Sequence, residues 1–238
     1  MTTDANPPLP NIAIDGPAGA GKTTVARDVA SRLDYRHIDS GGMYRAVTLI
    51  AVERGYQACD WEDEDRLVQL AEKLDIDYLG QNGETRILLE GEDRTRDLRD
   101  AAVERRVSQV ASVPGVRWAL VEKQRQLAMS GGVVMDGRDI GTCVLTDAPL
   151  KVFLTAATPV RVMRRLVQKH CSGSPVTWDE AARSVVARDV IDSTRAESPL
   201  RLAQDAIVID STRLSRGDVV SQICFMVDSL RRGGRATR

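Results

Sequence analysis

The sequence predicts an α/β fold in which helices wrap a parallel sheet. Short apolar runs alternate with longer helical patterns along most of the chain. A glycine-rich stretch at 16–23 follows the first apolar run directly. The length of 238 residues is enough for one core with an insertion, or for one core plus a small second domain.

The elements of this fold can be placed along the chain in order. Five apolar runs are candidate strands, at 11–15, 36–39, 133–136, 150–155 and 206–210. Helical patterns fit between and after them at 22–33, 43–54, 116–130, 159–168, 178–191 and 215–230. We expect a disordered tail at 1–10 and a basic tail at 231–238.

The glycine-rich stretch fits the phosphate-binding pattern G-x-x-x-x-G-K-[ST] and indicates a P-loop NTPase. Glycines let successive N–H groups turn inward, and the next helix would direct its N-terminus at the phosphates. Lys22 would reach the β and γ phosphates, and the Thr23 hydroxyl would hold Mg²⁺. The alternative is a glycine-rich turn that contains Lys-Thr by chance. The expected ATP-binding residues are Gly16, Pro17, Ala18, Gly19, Ala20, Gly21, Lys22, Thr23 and Thr24.

One segment, 58–99, breaks the alternation. It contains an acidic run at 60–65, a short amphipathic helix at 67–74 and two strands within 75–90. Asn82-Gly83 suits the tight hairpin turn that would join those strands. We interpret the segment as a small α+β insertion, either a surface excursion or one wall of a substrate pocket.

Arginines are concentrated between 161 and 201. Arginines at helical spacing usually form a solvated face, and about half of these are expected to do so. Phosphoryl transfer is catalysed chiefly by positioned positive charge, which favours a functional role for the rest. The set is Arg161, Arg164, Arg165, Arg183, Arg188, Arg195 and Arg201.

The overall composition is that of an ordinary soluble protein. Lys plus Arg total 33 and Asp plus Glu total 34, so the net charge is close to zero. A net charge this small does not indicate a nucleic acid or membrane partner. The cysteines Cys59, Cys143, Cys171 and Cys224 form no C-x-x-C pair, which favours reduced thiols in a cytoplasmic protein. Neither a signal peptide nor a membrane span is expected.

Structural roles are alternatives to functional ones for two residue types: the histidines are interpreted as structural or solvent-facing, and two aspartates could be structural rather than ligands. His37 and His170 lie in unrelated segments without a nucleophile or carboxylate at a telling spacing, so a histidine-based mechanism is rejected. Asp39 and Asp136 end predicted strands, where they could serve as helix caps or loop anchors.

Several blocks together resemble the bacterial cytidylate kinase family of P-loop nucleoside monophosphate kinases. The blocks are Asp39-Ser40-Gly41-Gly42-Met43-Tyr44-Arg45, Leu89-Glu90-Gly91-Glu92-Asp93, Asp136-Gly137-Arg138-Asp139-Ile140-Gly141-Thr142, Arg188-Asp189-Val190-Ile191-Asp192-Ser193-Thr194-Arg195 with Ser198-Pro199-Leu200, and 205–212. They occur in the expected order. The resemblance covers nearly all of 11–230.

The resemblance implies one kinase domain over 11–230, with a five-stranded parallel core. It implies that 58–99 is the enlarged monophosphate-binding region and that 156–201 is an arginine-rich lid. It further implies transfer of a phosphoryl group from ATP to CMP or dCMP with Mg²⁺ as cofactor. We expect a monomer, and no partner beyond these small molecules.

The resemblance also implies roles for individual residues. Arg45, Arg138 and Arg195 match residues near the acceptor phosphate. Ser40, Ser108, Arg117 and Asp139 match residues around cytosine, and Arg188 and Asp192 match residues near the ribose. The expected catalytic residues are Lys22, Arg138, Arg165 and Arg188, although sequence does not decide whether Arg164 or Arg165 faces the site.

Two alternatives stay open from the residues. One is a P-loop kinase of a different nucleoside monophosphate. The other, of a different class, is a nucleotide-binding regulator that exchanges nucleotide rather than transferring phosphate. A GTPase switch would need a guanine-reading N-K-x-D segment, which the sequence lacks.

Overall fold

The computed structural model describes residues 9–56, 58–81 and 84–233. Its strands are β1 (Ile12–Asp15), β2 (Arg36–Asp39), β3 (Ile76–Gln81), β4 (Glu84–Leu89), β5 (Glu92–Asp93), β6 (Val133–Gly137), β7 (Leu150–Thr155) and β8 (Ile207–Asp210). Its helices are α1 (Lys22–Leu33), α2 (Ser40–Glu53), α3 (Ala58–Glu62), α4 (Glu64–Lys73), α5 (Ala101–Val110), α6 (Pro114–Ala128), α7 (Thr158–Cys171), α8 (Trp178–Thr194) and α9 (Arg216–Arg231). Short 3₁₀ and π turns lie at Asp97–Arg99 and Ile140–Val144.

The predicted five-stranded parallel sheet is confirmed, with the order β2-β6-β1-β7-β8. Strand β1 lies at its centre, so the glycine-rich loop leaves from the middle of the carboxyl edge. The register sets Asp39 beside Asp136, and Asp15 beside Gly137. Because the carboxyl ends of parallel strands share one edge, these residues surround the loop.

Alternating side chains of the sheet divide the core into two layers. Ile12 and Ile14 face one side, where they pack with residues of α1 and α9. Ala13 and Met135 face the other side, which α2, α4, α5 and α6 cover. This period of two is the signature of strands that are buried on both faces, as in an α/β fold.

The 58–99 segment carries a separate antiparallel sheet of three strands, in the order β3-β4-β5. It docks on the main core, where the Tyr78 hydroxyl donates to the backbone oxygen of Asp39 at 2.6 Å. The register pairs Gln81 with Glu84, and the predicted turn residues Asn82-Gly83 lie outside the described residues. The segment is therefore positioned against the carboxyl edge of β2.

Several helices differ from the expectation: α3 was not predicted, α4 begins at Glu64 rather than 67, and α5 and α2 also differ. Helix α5 was not among the expected helices, although Val103, Val107 and Val110 are buried along one of its faces. Its exposed charged residues and its length of 10 residues hide this pattern. Helix α2 begins at Ser40 rather than 43, because Asp39 caps it by accepting from the Gly42 N–H at 3.2 Å.

Both ends extend past the described region, so the predicted tails are tested only where they enter it. Residues 1–8 and 234–238 lie outside it. The backbone oxygen of Leu9 accepts from Gly132 at 3.0 Å, and α9 continues to Arg231. Over the described residues, no helix has the length and apolar character needed to cross a membrane.

Candidate active site

One cavity of about 610 Å³ lies at the carboxyl edge of the parallel sheet. Residues of the glycine-rich loop line one part of it, and most of the expected acceptor residues line another. The expected residues that line it are Ala18, Gly19, Ala20, Gly21, Lys22, Thr23, Thr24, Ser40, Arg45, Arg117, Arg138, Asp139, Arg165, Arg188, Asp192 and Arg195. The fold therefore brings together residues that are far apart in the sequence.

Three expected residues lie outside the lining of this cavity. Gly16 packs against β7, where a Cβ atom would lie 2.0 Å from the carbonyl oxygen of Leu154. Pro17 contributes its carbonyl oxygen to Lys22 instead. Ser108 is half-buried on α5, and its neighbour Val107 faces the cavity in its place. Successive helical residues point about 100° apart, so both cannot face one cavity equally.

The loop ends at the N-terminus of α1, which Gly21 precedes with φ of 94°. Among the described residues, no side chain caps the first N–H groups of that helix. Such N–H groups attract anions. The arrangement is that of a phosphate site, as the sequence pattern predicts.

Lys22 is buried and folds back onto the loop. Its Nζ donates to the carbonyl oxygen of Pro17 at 2.8 Å. Burial and the neighbouring Arg138 lower the pKa of Lys22 well below its usual value. A bound phosphate would offset both effects, because it adds negative charge where the lysine lacks it.

Two arginines on α7 donate hydrogen bonds to backbone oxygens of the loop. Arg161 donates to the carbonyl oxygen of Ala18 at 3.1 Å and to Asp189 at 2.6 Å. Arg164 donates to the carbonyl oxygen of Ala20 at 2.9 Å and to the Ser211 hydroxyl at 3.0 Å. These contacts connect α7 to the loop, so part of the arginine-rich stretch supports the loop rather than facing solvent.

Arg164 and Arg165 both line the cavity but have different partners. Arg165 donates to Gln168 at 3.0 Å and lies 3.6 Å from Glu104 on α5. Lys169 pairs with the same carboxylate. Arg165 thus lies on the side of the cavity nearer α5, and Arg164 on the side nearer the loop. Sequence reasoning did not identify Arg164 as a loop contact, because adjacent arginines give no signal for which one turns inward.

Thr23 and Asp136 supply oxygen atoms beside the loop. The Thr23 hydroxyl donates to Asp136 Oδ2 at 2.6 Å, which leaves the lone pairs of its oxygen free. Hydroxyl and carboxylate oxygens are the ligands that Mg²⁺ prefers. The residues therefore fit the expected metal. From sequence, Asp136 is interpreted only as a possible cap or anchor. Its position at the end of an apolar run is nevertheless a signal, because the carboxyl ends of parallel strands are where ligands bind in such a sheet.

We call the part of the cavity lined by the residues expected near the second nucleotide the acceptor side; they are Ser40, Arg45, Arg117, Arg138, Asp139, Arg188, Asp192 and Arg195. Arginines there pair with carboxylates of the same cavity. Asp39 pairs with Arg45, and Asp139 pairs with Arg117. Arg195 lies 3.5 Å from Asp139 as a second partner. The Ser40 hydroxyl donates to the backbone oxygen of Asp136 at 2.7 Å.

The Arg138 guanidinium donates to Asp192 at 2.6 Å. Burial alone would raise the pKa of Asp192, but Arg138 and the neighbouring Arg188 and Arg195 hold this pKa below its usual value. Asp192 is therefore ionised at neutral pH. It can accept hydrogen bonds as well as balance charge.

Positive charge in the cavity is not fully balanced. Within the described part of the chain, Arg188 has no hydrogen-bond or ion-pair partner, and burial together with Arg138 lowers its pKa to about 10. The Nε atoms of Arg45 and Arg117 are also buried, and none of the residues that the structure describes offers them a hydrogen-bond acceptor. Unpaired buried donors cost free energy until an acceptor arrives, and phosphate oxygens or base acceptors suit that role.

Tyr44 is a cavity residue to which the sequence analysis assigned no role. Its ring lies 5.4 Å from the guanidinium carbon of Arg117, which is cation–π geometry. Burial raises the pKa of Tyr44 to about 12, so its hydroxyl stays protonated. The ring packs against the guanidinium group of Arg117. Tyr44 lies within the segment Asp39–Arg45 that resembles the family, and this is the signal that could have identified it.

Comparison with known proteins identifies the family of this chain. A family model described as cytidylate kinase matches residues 12–229. A cytidylate kinase from Pelotomaculum thermopropionicum is 46% identical over 225 residues, which cover 94% of this chain and 98% of that relative. A bifunctional pantoate ligase/cytidylate kinase from Synechococcus sp. is 45% identical over 231 residues. That match covers 96% of this chain but 42% of the relative, so the chain spans less than half of its length.

A solved structure of an uncharacterized protein from Eubacterium ventriosum has a TM-score of 0.51 and 13% identity. The match covers 93% of this chain and 99% of that one. At such low identity it shows the fold alone. The family match spans nearly the whole described chain, from β1 into α9. The chain belongs to the cytidylate kinase family.

Proposed function

We propose that this protein transfers the γ-phosphoryl group of ATP to CMP or dCMP, giving ADP and CDP or dCDP. One observation carries the proposal: a loop that fits the phosphates of a donor nucleotide shares one cavity with a separate cluster of arginines and carboxylates. A site for one nucleotide would not need that second cluster. The family membership supports the choice of CMP as acceptor.

The chemistry needs positioned charge rather than a general base. The acceptor phosphate is already ionised at neutral pH, so no proton must be removed before attack. Lys22, Arg138, Arg165 and Arg188 would offset the charge on the transferring group, and Lys22 would exchange the Pro17 carbonyl for a phosphate oxygen. Holding both nucleotides aligned in one cavity lowers the entropic part of the activation barrier.

Mg²⁺ is the proposed cofactor, held with the help of the Thr23 hydroxyl. A cation held there would offset the negative charge on the phosphates of ATP. Asp136 accepts from Thr23 and orients that hydroxyl. The N–H groups of residues 19–24 would bind the same phosphates, whereas the Ala18 N–H donates to Asp189 at 3.4 Å.

Cytosine recognition is assigned to Asp139 and Arg117, with Ser40 and Ser108 nearby. Asp139 can accept from the exocyclic amino group, and the unpaired Nε of Arg117 can donate to a ring acceptor. Uracil would instead present an oxygen to the carboxylate. A site that leaves polar groups unpaired against the wrong base discriminates by as much as about 10⁴-fold.

Arg45, Arg138 and Arg195 are assigned to the acceptor phosphate. Arg188 and Asp192 are assigned to the ribose, where an ionised Asp192 would accept from the hydroxyls. This assignment predicts weaker binding of dCMP, because it lacks the 2′-hydroxyl, although a bridging water would reduce the loss.

The remaining expectations are part of the same proposal. We infer a cytoplasmic monomer with one kinase domain over 11–230, a monophosphate-binding region at 58–99 and a lid at 156–201. The near balance of 33 basic and 34 acidic residues supports the absence of a nucleic acid partner.

A coupled assay of ADP formation with CMP, dCMP, UMP and AMP tests the proposal. We expect CMP to be the best acceptor, followed by dCMP. Equal or faster turnover with AMP or UMP would contradict the cytidylate assignment and favour a kinase of another monophosphate. Tight ATP binding with no CMP-dependent turnover would favour a nucleotide-binding regulator.

A further inference from the structure

A chain of four hydrogen-bonded side chains connects the 58–99 segment to the phosphate loop. Thr85 Oγ1 on β4 lies 2.6 Å from His37 Nδ1, and these residues are 48 positions apart. His37 Nε2 lies 2.8 Å from Asp136 Oδ1. The second oxygen of Asp136 accepts from the Thr23 hydroxyl at 2.6 Å. The sequence analysis had read His37 as structural or solvent-facing.

The directions of the two hydrogen bonds of His37 depend on which ring nitrogens carry hydrogen, and we assign them from the chemistry of the partners. An ionised carboxylate only accepts, so His37 Nε2 carries the hydrogen that it shares with Asp136. In a neutral imidazole Nδ1 is then an acceptor, and the Thr85 hydroxyl donates to it. Asp136 is consequently held at both oxygens, one by His37 and the other by Thr23.

Strand register explains why His37 reaches Asp136. Asp39 on β2 lies directly beside Asp136 on β6. His37 precedes Asp39 by two positions and therefore points to the same face of the sheet. The side chains of His37 and Asp136 are each 4% exposed, so water does not compete freely for these bonds.

A buried carboxylate needs partners, because leaving it unpaired is costly. Without His37, the Oδ1 atom of Asp136 would lose its side-chain donor, and the carboxylate could rotate away from Thr23. The Thr23 hydroxyl could then turn its hydrogen elsewhere, including toward the space where a cation would bind. His37 thus acts on the orientation of the loop hydroxyl through Asp136.

We propose that His37 is a positioning residue for Mg²⁺-dependent ATP binding. It fixes Asp136, which fixes Thr23 with its oxygen lone pairs free for the cation. Thr85 fixes the tautomer of His37, so docking of the 58–99 segment contributes to the metal side of the loop. The inference rests on the proposed function only in its use of Mg²⁺ and ATP, and it does not depend on the acceptor.

The test is calorimetric titration of ATP into the full-length protein, with EDTA and with excess Mg²⁺. The readout is the factor by which Mg²⁺ lowers the Kd for ATP. We expect His37→Phe to reduce this factor about tenfold, in the range found when the partner of a metal ligand is removed. His37→Gln keeps a donor at the position of Nε2 and should stay within about threefold of the wild type. In EDTA, each variant should bind ATP within about twofold of the wild type.

Two further variants make the result decisive. Thr85→Val keeps the side-chain volume and removes the hydroxyl, so it should reduce the factor about threefold, and it decides the test if His37→Phe does not fold. Tyr78→Phe is the matched control, because it removes another hydrogen bond between the 58–99 segment and the core without contacting Asp136. It should leave the factor unchanged.

The inference is wrong if Mg²⁺ improves ATP binding equally in the wild type, His37→Phe and Thr85→Val. It is also wrong if His37→Gln loses as much as His37→Phe, because the donor would then be irrelevant. Absence of CMP-dependent turnover would contradict the proposed function without changing these binding ratios. Unchanged ratios with intact CMP turnover would contradict the positioning role alone.

Discussion

The loop side and the acceptor side of the cavity are held in place by different interactions. Backbone groups dominate on the loop side, where Ala18 and Ala20 accept from arginines of α7 and Lys22 donates to Pro17. Side-chain ion pairs dominate on the acceptor side, as between Arg117 and Asp139. The loop side is thus determined by chain geometry, and the acceptor side by the identity of individual side chains.

This difference teaches how each side should respond to a ligand. On the loop side, the N–H groups at the start of α1 already point to where a phosphate would bind, and Lys22 exchanges only the Pro17 carbonyl oxygen. The acceptor arginines must exchange a carboxylate partner for a phosphate or a base. We therefore expect substitutions at the loop to affect mainly turnover, and substitutions at the acceptor side to affect mainly the choice and affinity of the acceptor.

The largest effect is expected at Lys22. Lys22→Ala should lower kcat on the order of 10³-fold, because it removes a cation from the transferring phosphoryl group. The Kd for CMP should change by less than about threefold, since the acceptor contacts remain. Steady-state kinetics and calorimetry measure the two quantities. Lys73→Ala, at the exposed end of α4, is the control. Loss of CMP binding in step with turnover would contradict the division into two sides.

The next effect is expected at Asp139. Asp139→Ala should reduce the preference for CMP over UMP, measured as the ratio of kcat/KM values, by about 10²-fold. The exposed Asp147→Ala is the control, and a thermal melt corrects for any loss of stability caused by leaving Arg117 unpaired. An unchanged ratio would mean that another group reads the base.

A smaller effect is expected at Arg188. Arg188→Ala should raise the KM for CMP about tenfold and also lower kcat, because the lost charge would pair with the bound acceptor and with the transferring phosphoryl group. Arg183→Ala on the same helix removes an exposed arginine and should leave the KM unchanged. If both variants behave alike, the Arg188 charge does not contribute to binding or turnover of the acceptor.

The smallest effect concerns Asp15, which connects the two sides. Its carboxylate accepts from the backbone N–H groups of Ile140 and Gly141 at 2.8 and 2.7 Å. Burial raises the pKa of Asp15 from 3.8 to about 6. The folded state therefore binds the Asp15 proton more tightly than the unfolded state does, so protonation of Asp15 stabilises the fold. The stabilisation is complete below about pH 4 and is lost as the pH rises through about 6.

Comparison of the wild type with Asp15→Asn measures this loss. The stability of the wild type relative to Asp15→Asn should fall by about 1 kcal/mol between about pH 5 and pH 7.5. Denaturant unfolding at several pH values gives the difference. A constant or rising difference over that range would show that Asp15 is already ionised at the lower pH.

Sequence alone predicted the loop side better than the rest of the site. The loop is contiguous, and its pattern fixes the strand before it, the helix after it and the roles expected of Lys22 and Thr23. The five strands were also placed correctly, because each is a short run that contains apolar residues between helical patterns, although β8, at the edge of the sheet, is only partly buried. In patterns of this kind the residues that contact each other are close in sequence, so the pattern predicts their arrangement.

The acceptor side was predicted only by resemblance, and its pairings were not predicted at all. No local pattern indicates that Arg138 pairs with Asp192, because 54 positions separate them. The contacts of Asp136 with His37 and Thr23 are hidden for the same reason, at separations of 99 and 113 positions. Helix α5 was missed because its charged residues mask a narrow apolar face. Register and docking, which create these contacts, are properties of the assembled fold.

The central claim is that one cavity holds a donor and an acceptor nucleotide and transfers phosphate between them. Measuring ADP and CDP in the same reaction, with and without CMP, tests it most directly. We predict that the two products form in a one-to-one ratio, and that ADP formation without CMP is slower by at least about 10²-fold. ADP that accumulates equally fast without CMP, or without matching CDP, would contradict the claim.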